Sequence, residues 1–172
     1  DCKVIVAGAG PAGLAAAALL AKEGLATTVV APAAGEDPRT VALMQPSIQL
    51  LRYLDIWPGK LESETYPLRK LRIIDDTGSL LVTPNLEFAS QDLNLEAVGW
   101  NVPLALLLPV LRRRAEDLGV TFVEATATGA VSRDGAIHVT LSNSTEISAA
   151  LCLAADGANS VLRKAAGIAT DT

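Results

Sequence analysis

Between a short β-branched run, Lys3-Val4-Ile5-Val6-Ala7, and an alanine- and leucine-rich segment from Pro11 to Gly24 lies Gly8-Ala9-Gly10-Pro11-Ala12-Gly13, with the spacing G-x-G-x-x-G. No other feature of the chain limits its fold so strongly. The run before the glycines predicts a strand buried on both faces, as in parallel sheets. The segment after them predicts a helix, with Lys22 and Glu23 near its end and Gly24 placed to terminate it. Thr27-Thr28-Val29-Val30-Ala31 is a second β-branched run, so the first 31 residues predict one βαβ unit.

In that setting each glycine has a physical task. Gly8 permits the tight turn, Gly10 lets backbone approach a pyrophosphate, and Gly13 allows helix and strand to pack closely. The helix N-terminus adds amide donors and a partial positive charge for an anion. Gly8, Gly10, Ala12 and Gly13 are therefore candidate cofactor-binding residues. A glycine-rich turn that binds nothing is the competing reading, and the strand before it and helix after it weigh against that. The same fingerprint expects an acid at the end of the second strand to hold the ribose hydroxyls. That position is Ala31, 18 residues after Gly13, and the nearest carboxylates, Glu36 and Asp37, lie further on in the loop. Ala31 does not distinguish NAD from FAD.

Further along, Pro32 to Pro38 reads as loop, and Pro46 suits the first turn of a helix running to about Leu54 with Leu50, Leu51 and Leu54 as its buried stripe. Leu71-Arg72-Ile73-Ile74 and Leu80-Leu81-Val82 flank Asp75 to Ser79 and predict an antiparallel hairpin. Residues 83–100 show no stable period and read as loop or irregular strand. Leu104 to Leu118 looks helical. Pro109 means that this helix either begins near Leu106 to Leu108 or is kinked. Short strands follow at 120–123, 129–131, 136–141 and 148–154, with a tight turn at Asp134-Gly135. Asp156-Gly157-Ala158-Asn159 breaks the last strand, and Ser160 caps a helix through Ala166. The expected fold class is α/β: a Rossmann-like FAD/NAD(P)-binding βαβ domain with a parallel sheet, plus an antiparallel β insertion.

Composition removes several function classes. Fourteen Lys and Arg against nineteen Asp and Glu leave a net charge of −5, which repels a phosphate backbone, so nucleic acid is not an expected partner. Cys2 and Cys152 suggest no disulfide framework. With these two cysteines and His138 as the only histidine, no metal site is expected. His138 has no nucleophile motif to serve and reads as a satisfied or solvent-facing strand residue. The apolar stretches Leu14 to Ala21 and Val102 to Leu111 fall short of the roughly 18 residues a bilayer crossing needs. Arg112 to Arg114 read as a solvated helix end, with an anionic membrane surface as the weaker alternative. A start at Asp1 with Met44 as the one methionine gives the expectation of a piece of a longer chain.

Three motifs in order carry a resemblance. The glycine fingerprint, then Asp37-Pro38-Arg39-Thr40 with Leu50-Leu51-Arg52-Tyr53-Leu54-Asp55-Ile56-Trp57, then Ala155-Asp156-Gly157-Ala158-Asn159-Ser160-Val161-Leu162-Arg163, together resemble the FAD-dependent aromatic hydroxylases. This is the p-hydroxybenzoate hydroxylase-like family, and the chain is most similar to its ubiquinone-biosynthesis branch, over the N-terminal half only. The resemblance implies that Gly8, Gly10, Ala12, Gly13, Ala31, Arg39, Asp156, Gly157 and Arg163 lie at the FAD site, with Asp156 and Gly157 also associated with the nicotinamide cofactor. Arg39 as a solvated loop charge and Asp156 as a turn or capping residue are the plainer readings of those two positions. Residues 1–66 and 103–172 would form a discontinuous, incomplete FAD-binding domain, and 67–102 the start of a substrate-domain sheet.

The implied activity is monooxygenation of an aromatic ring, a ubiquinone precursor, with FAD as cofactor and NAD(P)H as electron donor. No catalytic side chain is expected in this half, because the cofactor carries the chemistry. The implied location is cytoplasmic, with peripheral inner-membrane association left open. Two departures accompany the resemblance: Ala31, and the apolar stretch Asn101-Val102-Pro103-Leu104-Ala105 where many relatives place a polar or cationic flavin contact. The competing functions are another flavoprotein on the same scaffold, such as a halogenase or prenyl reductase, and a non-catalytic dinucleotide-binding fragment.

Overall fold

A computed structural model describes residues 3–35, 37–75 and 86–169. In chain order the elements begin with β1 (Lys3–Ala7), α1 (Pro11–Lys22), β2 (Ala26–Ala31), β3 (Thr40–Met44) and α2 (Gln45–Tyr53). Then come β4 (Tyr66–Leu68), β5 (Lys70–Ile73), β6 (Leu86–Ala89), β7 (Gly99–Pro103) and α3 (Leu104–Asp117). The last are β8 (Thr121–Glu124), β9 (Ala127–Arg133), β10 (Ala136–Leu141), β11 (Glu146–Ala149), β12 (Leu151–Ala154) and α4 (Val161–Ala165). They divide into two compact units, residues 1–37 with 105–172, and residues 38–104.

The first unit is built on a parallel sheet in the order β12-β1-β2-β8. β1 is central because both of its faces are apolar. Val4, Ile5, Val6 and Ala7 are all buried, which only a strand covered on both sides can satisfy. Ile5 and Ala7 of β1 and Val30 of β2 join a cluster with Val139, Leu141, Ala149 and Leu162, tying the parallel sheet to α4 and to an antiparallel sheet in the order β11-β10-β9. Val139 is fully buried, and burial of one such side chain contributes about 1.5–3 kcal/mol. α1 buries Gly13, Leu14, Ala17 and Ala18, and these small residues let its backbone approach closely.

The second unit holds the antiparallel sheet β3-β7-β4, the two-stranded sheet β5-β6, and α2. Trp57 and Trp100 meet edge to face with centroids 5.3 Å apart, and Gln45 Nε2 donates to the Ala97 carbonyl at 2.6 Å.

Several local expectations are corrected. In the stretch read as loop or irregular strand, the described residues form ordered elements: β6 pairs Leu86–Ala89 with Lys70–Ile73, a 3₁₀ turn covers Ser90–Leu93, and β7 begins at Gly99. The proposed second hairpin arm, Leu80 to Val82, lies outside the described residues. Residues 148–154 are two strands, because the chain leaves the antiparallel sheet after Ala149 and enters the parallel one at Leu151. The Ala150 amide donates to the Lys3 carbonyl at that crossing. The helix expected from Leu104 is α3, and of the two readings of Pro109 the later start near Leu106 to Leu108 is the one overturned: Pro109 sits inside α3 and leaves the Ala105 carbonyl without its i+4 donor. On α2 the buried residues are Ile48 and Leu51, continued by Leu54, whereas Leu50 is half-buried.

Candidate nucleotide-binding site

The site is assembled from the carboxyl ends of three strands. The Gly8 amide donates to the Val30 carbonyl at 2.8 Å, and the Ala155 amide donates to the Ala7 carbonyl at 2.8 Å, so the ends of β1, β2 and β12 are tied at one rim. Gly8 has φ +111°, and a Cβ there would also run into the Ala155 carbonyl oxygen. A Cβ on Gly13 would overlap the Gly8 carbonyl oxygen and come within 3.3 Å of Ala155 Cβ. Backbone cannot yield as a flexible side chain does, so both positions require glycine.

Gly10 is different. Nothing lies within 4 Å of where its Cβ would stand, and its φ of −72° and ψ of 177° suit any residue. Gly10 is the N-cap of α1, no side chain caps that end, and the first turn holds no acid. Pro11 takes a position where an amide would have no intrahelical acceptor anyway, leaving the Ala12 and Gly13 amides as outward donors. Open space over Gly10, uncapped donors and the partial positive charge of a helix end fit a pyrophosphate-bearing cofactor.

Beside this loop, the segment after β12 folds into a capped turn. Asp156 Oδ2 accepts from the amides of Val161 at 2.8 Å and Leu162 at 3.1 Å, and Oδ1 accepts from Ser160 Oγ at 2.5 Å. Ser160 Oγ in turn accepts from the Arg163 amide at 2.9 Å, the N-cap expected of it. Burial pushes the Asp156 carboxyl upward, but the hydrogen bonds from Ser160, Leu162 and Val161 outweigh it and its pKa lies below the usual value. Arg163 Nη1 donates to the Ala158 carbonyl at 3.0 Å, closing the turn from the other side, while its Nε is buried without a partner. Gly157, at φ +89°, supplies the left-handed residue the turn needs. Asp156, Gly157 and Arg163 thus form one unit next to Gly8 and Gly13.

Ala31 is buried at the end of β2, 8% exposed. Asp37 is half-buried and already engaged, and Glu36 lies outside the described residues. Arg39 is exposed in the second unit, immediately before β3, and its carbonyl accepts from the Leu104 amide at 2.8 Å. Sequence reasoning did not single out Glu124, the last residue of β8, although β8 pairs with β2 and brings Glu124 opposite Ala31. The sequence shows only an acid after a short strand-like run; its place opposite Ala31 is set by the order of the strands.

The remaining titratable groups belong elsewhere. His138 Nδ1 lies 3.0 Å from Glu146 Oε1, and Arg133 reaches the same carboxylate, on the outer part of the antiparallel sheet. Burial, and then the charge of Asp156, raise the Cys152 thiol. Arg112 pairs with Glu116 at 3.0 Å and lies 4.2 Å from the Phe122 ring centroid, and Arg113 lies 3.8 Å from Asp117. Among the described residues no cluster of three or more His, Cys, Asp or Glu is arranged to hold a metal, and no helix is long and apolar enough to cross a membrane.

A parallel sheet with a glycine turn leading into an uncapped helix, bordered by the loop after β12, defines a Rossmann-like dinucleotide-binding α/β domain. More narrowly, the chain belongs to the FAD binding domain family, which matches it over residues 1–172. It is 28% identical over 181 residues to the ubiquinone hydroxylase UbiM of Neisseria meningitidis serogroup C, covering 98% of this chain and 38% of that protein. It is 30% identical over 176 residues to the 3-demethoxyubiquinol 3-hydroxylase of Escherichia coli K12, covering 96% of this chain and 44% of that one. The chain therefore spans about two fifths of the length of these relatives. Among solved structures, the Diels-Alderase PyrE3 of pyrroindomycin biosynthesis superposes with a TM-score of 0.79 at 24% identity, over 97% of this chain and 35% of that chain. The resemblance to FAD-dependent aromatic hydroxylases and the α/β fold class both hold.

Proposed function

We propose that this chain is the cofactor-binding portion of an FAD-dependent monooxygenase that hydroxylates an aromatic ring, a ubiquinone precursor, using NAD(P)H as electron donor. The observation that carries the reading is the open approach to Gly10 between the uncapped end of α1 and the Asp156 turn. The two relatives named as ubiquinone-pathway hydroxylases support the substrate class. The chemistry supplied by a bound flavin is electron uptake and oxygen transfer. The Ala12 and Gly13 amides would bind the pyrophosphate, and Gly10 would let it approach the backbone. Asp156 spends its carboxylate on α4, so its role is to fix the Gly157 to Asn159 backbone beside the phosphates. Arg39 is kept as a candidate on the resemblance alone, its guanidinium being a planar fork of the kind that suits phosphate oxygens. No side chain of this chain is assigned as an acid or base.

Residues 1–66 and 103–172 are assigned to the FAD-binding domain and 67–102 to the start of the substrate-side sheet, and the interruption of the first compact unit by residues 38–104 supports such a discontinuous arrangement. The assigned location is cytoplasmic, peripheral to the membrane that would hold a lipophilic substrate. The likeness to a Diels-Alderase favours one second reading, in which the same scaffold serves a different reaction. The deciding experiment is a titration of the chain with FAD by flavin fluorescence, with ADP as competitor. Saturable binding displaced by ADP supports the reading, and no binding by a folded chain overturns it.

A further inference from the structure

We propose that Glu124 holds the ribose hydroxyls of the adenine nucleotide, replacing the carboxylate that the end of β2 lacks. The inference rests on the cofactor reading above. In a glycine-turn dinucleotide fold the ribose is accepted by an acid at the end of the second strand, and here Ala31 offers only a methyl group. β2 runs parallel to β8, and the register pairs Ala31 with Glu124, the last residue of each strand. Residues paired across neighbouring strands lie about 4.8 Å apart and project from the same face. The Glu124 carboxylate therefore starts one strand over from the vacant position, at the carboxyl rim where open α/β sheets take their ligands. The Ala125 amide donates to the Ala31 carbonyl at 3.1 Å, which holds the two strand ends together.

What sets Glu124 apart is that it stands opposite Ala31 and is unoccupied. It is exposed, and among the described residues its side chain has neither ion pair nor hydrogen bond. Four other carboxylates of this unit are committed, Asp156 to α4, Glu146 to Arg133 and His138, Glu116 to Arg112, and Asp117 to Arg113, and Asp134 sits in the β9–β10 turn rather than at a strand end. An unpartnered carboxylate at the carboxyl rim of the sheet suits hydroxyl donors, and the cis-diol of an adenosine ribose supplies them.

The test compares ADP with 2′-deoxy-ADP as competitors of FAD, for the wild-type chain and for Glu124→Ala. A hydrogen bond to a charged acceptor is worth about tenfold or more in affinity. The wild-type chain should prefer ADP over 2′-deoxy-ADP by about tenfold, and Glu124→Ala should bring the two toward parity with an unchanged melting temperature. An unaltered preference in Glu124→Ala, with FAD still bound, overturns the assignment of Glu124 and leaves the cofactor reading intact. Failure of the folded wild-type chain to bind FAD or ADP overturns both.

Discussion

The carbonyl oxygen of Gly8 occupies the space in which a Cβ on Gly13 would stand. The turn and the first helical residues are therefore fitted to each other before any ligand enters. Gly13→Ala forces a methyl group against backbone that has no rotamer to escape into. Its expected cost is about 3 kcal/mol, the upper end for overpacking. Urea unfolding of the variant should show a lower midpoint with an unchanged slope, the shift multiplied by the slope giving that cost.

Gly10→Val separates binding from folding. The position has an ordinary extended backbone and open space, so the valine meets no protein atom within 4 Å at its Cβ. Replacing glycine at an N-cap with an apolar residue should cost about 1 kcal/mol or less. Yet the side chain would stand where the pyrophosphate approaches. The expected outcome is a chain that melts close to wild type and shows no saturable flavin binding by fluorescence.

The contrast between these two glycines shows what the sequence could reveal. Spacing and context were enough to find the turn, because a strand, three glycines and an alanine-rich helix are all local signals. Ser160 as an N-cap and Asp134-Gly135 as a turn were legible for the same reason, and the turn residues have φ of +52° and +75°. β6 was not, since Leu86 to Ala89 is too short to show a period and exists through pairing with β5. Nor was the switch of sheets at Ala150, where an unbroken apolar stretch hides a change of partner. Glu124 belongs to the same class: its relation to Ala31 is a matter of strand order, which no local pattern encodes.

Asp156 gives a dependence on pH. Its folded pKa is depressed by hydrogen bonds from Ser160, Leu162 and Val161 that outweigh burial. The carboxylate thus contributes stability that is fully present above its unfolded value, about 3.9, and is lost as pH falls through the lower folded value. Asp156→Asn removes the charge while keeping one acceptor. It should cost about 1 kcal/mol at pH 7, as loss of a helix cap does. The difference from wild type should shrink as pH is lowered below 4. Urea midpoints of both proteins between pH 3 and 7 check this, and a gap that stays constant to the acid limit contradicts it.

Both tryptophans of the chain belong to residues 38–104, and they touch: Trp57 and Trp100 lie edge to face, 7% and 8% exposed. Intrinsic fluorescence therefore reports the second unit. Trp100 is on β7, the middle strand of β3-β7-β4, directly opposite Leu43 on one side and Pro67 on the other. Truncation there empties a site that two neighbouring strands and a ring contact all use. Trp100→Ala should cost about 3–5 kcal/mol, the range for deleting a buried aromatic side chain. The remaining Trp57 reads the loss directly, because its emission should shift to longer wavelength at a lower urea concentration than in wild type. An unmoved transition would mean that the Trp57–Trp100 contact adds nothing to the stability of that sheet.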